Sequence, residues 1–174
     1  MRQKIVALLW PSGSGKSTQE KLFIEQWFVK PTNYTTRDPR PTDVGYEYIS
    51  PEEFLEKRSQ GLIPVHTEIY GNYYGFATSD DPKVIYVVDG NGLVQLQQFC
   101  EEKKSELFSV FLALSPDECK TRMIARGDPS EKIQQRLLAD ADLNYTRAMC
   151  TILVDARKSI LEVFNEIDIL YQSS

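Results

Sequence analysis

The sequence predicts an α/β fold with a parallel central sheet, and two features carry that prediction. Apolar runs of strand length recur along the chain without the polar alternation of a half-exposed sheet, which is typical of parallel strands covered on both faces. Segments with helix-capping signals separate these runs. Strands that alternate with helices form a parallel sheet between two helix layers, so a three-layer domain is expected.

The predicted strands are the apolar runs 5–9, 84–88, 107–114 and 151–154. Three tetrapeptides place a capping residue, then Pro, then an acid at the third helical position: Ser50-Pro51-Glu52-Glu53, Ser115-Pro116-Asp117-Glu118 and Asp128-Pro129-Ser130-Glu131. We therefore expect helices over 51–60, 116–125 and 129–147, a first helix from about Lys16 and a last one over 157–169.

Between residues 31 and 81 the sequence changes to short aromatic, Thr-rich and Pro-rich pieces. This change in composition predicts a β-rich lobe inserted into the α/β body. The 174 residues form one domain in this interpretation, with a core of 1–30 and 82–174 and an inserted lobe of 31–81.

Composition excludes several classes of protein. The net charge of -5 and the absence of a dense Lys/Arg run argue against duplex nucleic acid as a partner. The apolar run near the start is too short to span a membrane, and the three cysteines have no metal-ligand spacing. We expect a cytoplasmic protein that binds small molecules; the sequence does not predict its oligomeric state.

A Gly-rich turn follows the first predicted strand, and Lys16-Ser17 open the helix after it. This arrangement directs backbone N–H groups and the positive helix end at a polyphosphate, with Lys16 on the outer phosphates and Ser17 on Mg²⁺. It nearly matches the pattern G-x-x-x-x-G-K-[ST] of P-loop NTPases, with Trp10 at the first glycine. The predicted ATP-binding residues are Ser12, Gly13, Ser14, Gly15, Lys16, Ser17 and Thr18. A turn that only joins strand to helix is the alternative.

Three further motifs follow in order: Tyr34-Thr35-Thr36-Arg37-Asp38-Pro39-Arg40-Pro41, Gly45-Tyr46-Glu47-Tyr48 and Gly71-Asn72-Tyr73-Tyr74-Gly75. With the phosphate loop, this set resembles the guanylate kinase family over nearly the whole chain. The resemblance implies that the inserted lobe binds a nucleoside monophosphate. Its acceptor phosphate would be held by Arg37, Arg40, Tyr48 and Tyr74, and guanidinium and phenol groups suit that task.

Residues 122–136 resemble the helical lid of the same family, whose arginines close over the transferring phosphates. The resemblance assigns catalytic roles to Arg122, Arg126 and Arg136 beside Lys16. Because Arg122 and Arg126 are four residues apart on a predicted helix, we expect both to reach one polyanion. A solvated basic helix face is the alternative.

Asp89 follows the predicted strand 84–88, where P-loop proteins carry an acid that orients hydrated Mg²⁺. It could instead cap the following helix. ATP and Mg²⁺ are the expected cofactors.

The chain departs from the family where guanine is read. Val65, Phe76 and Val87 stand where the family has an acid, a hydroxyl and a second acid, and Asn33 replaces a serine. Apolar side chains cannot accept hydrogen bonds from guanine, so GMP is the family default and a pyrimidine or modified deoxynucleotide is the competing acceptor. A shift within 62–70 would instead bring Glu68 or His66 into the pocket.

The leading interpretation is an ATP-dependent nucleoside monophosphate kinase. A ribose 1,5-bisphosphate kinase shares the fold, but T-T-R-x-P-R and Tyr48 argue against it. A non-catalytic phosphopeptide-binding module of the same fold is the third interpretation, disfavoured because Lys16 and Ser17 are present.

Overall fold

A computed structural model describes residues 2–9, 11, 13–39, 45–69, 71–140 and 143–173, with backbone alone for residues 16, 17, 69, 139 and 144. The strands are β1 Lys4–Leu9, β2 Asn33–Thr35, β3 Tyr46–Tyr48, β4 Val65–Ile69, β5 Asn72–Phe76, β6 Lys83–Val87, β7 Glu106–Ala113 and β8 Ile152–Asp155. The helices are α1 Lys16–Glu25, α2 Pro51–Ser59, α3 Gly90–Lys103, α4 Pro116–Ala125, α5 Ser130–Ala139, α6 Asn144–Met149 and α7 Ile160–Gln172.

The core sheet has the order β6-β1-β7-β8, and its neighbouring strands are all parallel. Val6 and Leu8 of β1 face a cluster with Phe23 of α1 and Phe164 of α7. Alternate residues of β1 face a second cluster that includes Leu93 of α3. The sheet therefore lies between two helix layers, which confirms the predicted α/β fold with its parallel central sheet.

The inserted segment forms a second sheet of order β3-β2-β5-β4, mostly antiparallel. Helix α2 covers one face of this small sheet, where Phe54 stacks on Tyr73 with ring centroids 5.2 Å apart. Ser50 caps α2 through the Glu53 N–H, as the sequence predicts. The opposite face of the small sheet is left for the site described below.

Two helix predictions are wrong in detail. The single helix expected over 129–147 is two helices, because α5 ends at Ala139 and α6 starts at Asn144. The last helix begins at Ile160 rather than 157, since Ser159 caps it in a capping box with Glu162.

The cap expected from Asp128 is also wrong. The N-cap residue of α5 is Pro129, and no side chain caps this helix. The Asp128 carboxylate accepts hydrogen bonds from Arg126 and Arg136 instead, where both the donor and the acceptor are charged.

Gly75 is required where β5 meets α2. A Cβ atom at this position would overlap Ile63 Cγ2 and would lie 2.9 Å from Phe54 Cζ and 3.0 Å from Val65 O. Gly75→Ala should therefore lower the free energy of unfolding by about 1–3 kcal/mol through overpacking. Urea denaturation followed by circular dichroism measures this free energy. An unchanged urea midpoint would show that the small sheet accommodates the added methyl group without loss of stability.

Among the described residues, no helix has both the length and the apolar character needed to cross a membrane.

Candidate active site

The loop after β1 is shaped by two glycines. Gly13 and Gly15 have φ values of 91° and 95°, in the left-handed region that side chains disfavour. Gly13 also lies beneath α4, since a Cβ atom there would come within 3.0 Å of the Cys119 carbonyl oxygen. Gly15 is the N-cap residue of α1, so the loop leads directly into a helix N-terminus. Backbone N–H groups at such an end suit an anion.

Parts of the predicted ATP-binding set can be placed and others cannot. Gly13, Ser14 and Gly15 form the loop, and Thr18 lies in the first turn of α1, where its N–H bonds to the Gly15 carbonyl oxygen at 3.0 Å. Trp10 and Ser12 lie outside the described residues, and so do the side chains of Lys16 and Ser17.

Arg122 forms hydrogen bonds that connect the phosphate loop to the rest of the core. Its Nη1 donates to the Ser14 carbonyl oxygen at 3.4 Å, and its Nη2 donates to the Ala156 carbonyl oxygen at 2.7 Å. Gln19 of α1 makes a second connection, since its Nε2 donates to the carbonyl oxygen of Ile160 at the start of α7, at 2.9 Å. These contacts link the phosphate loop, α4 and the connection from β8 to α7.

Asp89 lies at the same sheet edge as this loop, because β6 pairs in parallel with β1 through Leu8 and Val87. Its Oδ1 accepts a hydrogen bond from Gly92 N at 2.8 Å and so caps α3, the alternative weighed from the sequence. The carboxylate has a second oxygen, so capping and Mg²⁺ binding are compatible. No group of three His, Cys, Asp or Glu ligands occurs among the residues described; Mg²⁺ does not need one, since phosphates and water complete its shell.

The small sheet brings five predicted acceptor residues onto one face. Strand register aligns one cross-strand row of Tyr46, Asn33, Phe76 and Val65, and a second row of Tyr48, Thr35, Tyr74 and Thr67. Directly paired residues point to the same side of a sheet, and residues two apart do so as well. We call this surface the site face; it carries Asn33, Tyr48, Val65, Tyr74 and Phe76.

One end of the site face is apolar and packs against the core sheet. Val65 is 4% exposed and belongs to the cluster that contains Tyr86. The Phe76 ring meets the Tyr86 ring edge-on, with centroids 5.4 Å apart, and Tyr86 Oη donates to the Ala77 carbonyl oxygen at 3.1 Å. Val65, Phe76 and Tyr86 therefore form an apolar wall at the end of the site face where the family resemblance puts the base, and Phe76 is the partly exposed residue of the three.

Val87 is not part of this wall. It packs against the other core cluster, on the α1 and α7 side of the sheet. Because side chains alternate along β6, Tyr86 faces the small sheet and Val87 faces away. Sequence comparison alone missed Tyr86; strand alternation was the signal that could have found it.

The register also decides between the two alignments of residues 62–70. His66 and Glu68 pair with Gly75 and Tyr73, so their side chains lie on the face opposite the site face. Gln95 of α3 fixes this register: its Oε1 accepts from His66 N at 2.8 Å, and its Nε2 donates to His66 O at 2.9 Å. Neither His66 nor Glu68 enters the pocket.

Arg37 lies beside the tyrosines of β3. Its guanidinium carbon is 5.1 Å from the Tyr46 ring centroid and 5.9 Å from that of Tyr48, and its Nη1 donates to the Asp38 carbonyl oxygen at 2.8 Å. Thr36 Oγ1 accepts from Tyr73 N at 2.9 Å and so fastens this segment to β5. Arg40 lies outside the described residues.

The three predicted lid arginines each have hydrogen-bond partners within the protein. Arg126 Nε donates to Asp128 Oδ1 at 3.0 Å and its Nη2 donates to Oδ2, while Arg136 Nη1 donates to the same Oδ2 at 3.1 Å. Arg122 binds backbone carbonyl oxygens instead. That Arg122 and Arg126 act on one polyanion stays a prediction; in the protein, Arg126 follows the last residue of α4 and is grouped with Arg136 through Asp128.

A cavity of about 900 Å³ opens beside Pro11 at the carboxyl ends of β7 and β8. Phe111, Leu114 and Leu143 give it apolar walls, and Asp155 and Arg157 line it with charge. Sequence reasoning did not identify this cavity, since its walls come from segments far apart in the chain.

Known proteins resemble this chain throughout. The family model described as guanylate kinase matches residues 2–158. The guanylate kinase of Clostridium tetani is 33% identical over 156 residues, which cover 81% of this chain and 73% of that protein. The guanylate kinase of Oleidesulfovibrio alaskensis is 30% identical over 146 residues, covering 76% of this chain and 69% of that one. The crystal structure of guanylate kinase from Anaplasma phagocytophilum superposes with a TM-score of 0.70 at 23% identity, covering 99% of this chain and 86% of that one. The phosphate loop, the site face of the inserted sheet and these matches together show that the chain belongs to the guanylate kinase family.

Proposed function

We propose that this chain transfers the γ-phosphoryl group of ATP to a nucleoside monophosphate whose base is a pyrimidine or a modified base rather than guanine. Its family makes the chain a phosphotransferase of the nucleoside monophosphate kinase type. The single observation that supports the altered base is the pairing of Val65 with Phe76 at the apolar end of the site face.

The donor half of the proposal uses the phosphate loop. Backbone N–H groups at the start of α1 and the Lys16 ammonium would hold the phosphates of ATP. Ser17 and Asp89 would hold Mg²⁺, which offsets negative charge on the phosphate oxygens when it is bound. The cavity beside Pro11 has the volume and mixed lining for the nucleoside of the donor.

The acceptor half uses the site face. Arg37 and Arg40 would hold the acceptor phosphate, with Tyr48 and Tyr74 as neutral donors. Arg37, Tyr48 and Tyr74 belong to the part of this set that the structure describes, and the two tyrosines share the second row of the site face. The base would then extend toward the first row.

Chemistry at that first row disfavours guanine. The N1–H and amino groups of guanine need hydrogen-bond acceptors, and Val65 and Phe76 have none, so burying guanine there would leave its donors unpaired. Asn33, half-buried in the same row, offers one acceptor and one donor group through its amide. That pair matches the adjacent N–H and carbonyl groups, or the ring nitrogen and amino group, on the edge of a pyrimidine. On guanine it would match N1–H and O6 but leave the 2-amino group without an acceptor beside Val65 and Phe76. The smaller ring also needs less room beside the Phe76 side chain.

A coupled assay of ADP formation with GMP, dGMP, dTMP, UMP, CMP and ribose 1,5-bisphosphate as separate acceptors tests the proposal. We expect turnover with at least one pyrimidine monophosphate at a kcat/KM above that for GMP. Turnover with the sugar phosphate alone would refute the nucleotide acceptor. Failure of ATP·Mg to bind at millimolar concentration in isothermal titration would refute the donor half and favour a phosphopeptide-binding module.

A further inference from the structure

Asp128 connects two arginines that the family resemblance places in the lid. Its two carboxylate oxygens accept from Nε and Nη2 of Arg126, and Oδ2 also accepts from Nη1 of Arg136. The Asp128 side chain is 15% exposed, whereas those of Arg126 and Arg136 are 54% and 35% exposed. The carboxylate therefore lies largely beneath two guanidinium groups that remain open to solvent.

We propose that Asp128 is a positioning residue for phosphoryl transfer, which holds Arg126 and Arg136 side by side so that both can act on the transferring phosphoryl group. The inference rests on the proposed function, because it takes the two arginines to act on phosphate.

Electrostatics explains why a carboxylate suits this place. Two guanidinium groups repel each other when brought together, and an anion between them offsets that repulsion. The three side chains still carry a net charge of +1, which favours a phosphate ligand. Each guanidinium has five N–H donors, and the bonds to Asp128 use two of Arg126 and one of Arg136. Donors therefore remain for phosphate oxygens while the pair is held.

The position of Asp128 excludes the simpler explanation that it caps a helix. It precedes Pro129, the N-cap residue of α5, and α5 has no side-chain cap bond. The hydrogen bonds from Arg126 lower the pKa of the Asp128 carboxyl group, so it is ionised at neutral pH. An ionised group with two cationic partners acts through charge, which an amide of the same size cannot supply.

Asp128→Asn and Asp128→Glu test the inference, with the exposed Asp80→Asn as the matched control for loss of one carboxylate. We expect Asp128→Asn to lower kcat about tenfold, because misplaced groups lose transition-state contacts more than ground-state contacts. Its Kd for ATP·Mg, measured by isothermal titration, should stay within about twofold of wild type or become tighter, since one repulsive charge is gone. Asp128→Glu should recover most of kcat, because it keeps the charge. Asp80→Asn should match the wild type.

The second measurement asks whether the effects of the Asp128 and arginine substitutions on kcat are additive. In an Arg126→Ala, Arg136→Ala background, Asp128→Asn should cause no further loss of kcat, since the groups it acts through are absent.

Each other result overturns the inference. If Asp128→Asn keeps the kcat of the wild type, the side chain only fills space between the arginines, since an amide has the same size as the carboxylate. A higher kcat would show that Asp128 restrains the arginines from acting. Parallel losses of ATP·Mg binding, kcat and melting temperature would show a role in folding alone. If the wild type prefers GMP, the proposed base preference fails, but the ratios between variants still decide the role of Asp128 with GMP as acceptor.

Discussion

Replacing Lys16 with alanine should lower kcat by at least about 10³-fold, the scale of loss when a group that stabilises charge on a transferring phosphoryl group is removed. Lys16 is the first residue of α1 and directly follows Gly15, whose left-handed backbone turns the chain into the helix. Alanine is the best helix former, so the helix and its N-terminal N–H groups should persist. The loss would then come from the missing ammonium group.

Lys21→Ala is the matched control for this variant. Lys21 is an exposed lysine in the same helix, so its replacement removes an equal charge from α1 without touching the loop. We expect Lys21→Ala to keep kcat within about twofold, in line with small effects of exposed charges. Steady-state kinetics and thermal melting of both variants make the comparison. Equal and mild effects on kcat would contradict the role of the loop in donor binding.

Restoring hydrogen-bonding groups to the apolar end of the site face should change the base preference. The double variant Val65→Glu, Phe76→Ser should raise the ratio of kcat/KM for GMP to that for a pyrimidine monophosphate by roughly 10²-fold. Val65 and Phe76 are direct cross-strand partners, so the new carboxylate and hydroxyl would lie together on one face. Removing the Phe76 ring also makes room for the larger purine.

The controls for this variant separate charge from space. Val65→Gln, Phe76→Ser has the same shape without the negative charge, and should shift the preference less. Val65→Glu alone places a carboxylate at a position that is 4% exposed beside Tyr86, and should lower the melting temperature, because unpaired charges are costly to bury. An unchanged base preference in the double variant would show that guanine is excluded elsewhere.

Local sequence signals predicted the core of the fold well. The runs 5–9 and 84–88 became β1 and β6, because apolar residues without alternation must be covered on both faces. Ser50 and Ser115 cap their helices since each hydroxyl bonds a nearby N–H group. Asp128 misled because the capping pattern considers only the N–H groups that follow it, whereas its partners are the guanidinium groups of Arg126, two residues before it, and Arg136, eight residues after it.

The site was harder to predict because its contacts depend on tertiary register. The resemblance placed Val65, Phe76 and Val87 in one pocket, but which side chain of β6 faces the small sheet depends on the packing of two sheets. On that strand the side chain that packs against Phe76 is Tyr86, which is buried. Gln95 is 29 residues from His66, and no sequence pattern joins them, yet their two hydrogen bonds fix the face on which Val65 lies.

An internal competition assay tests the central claim most directly. GMP, dTMP, UMP and CMP at equal concentration compete for one enzyme with ATP·Mg in excess, and chromatography of the diphosphate products gives the ratios of kcat/KM. The apolar wall of Val65, Phe76 and Tyr86 leads us to expect a pyrimidine diphosphate as the dominant product, with GDP at least about tenfold lower. GDP as the dominant product would contradict the account.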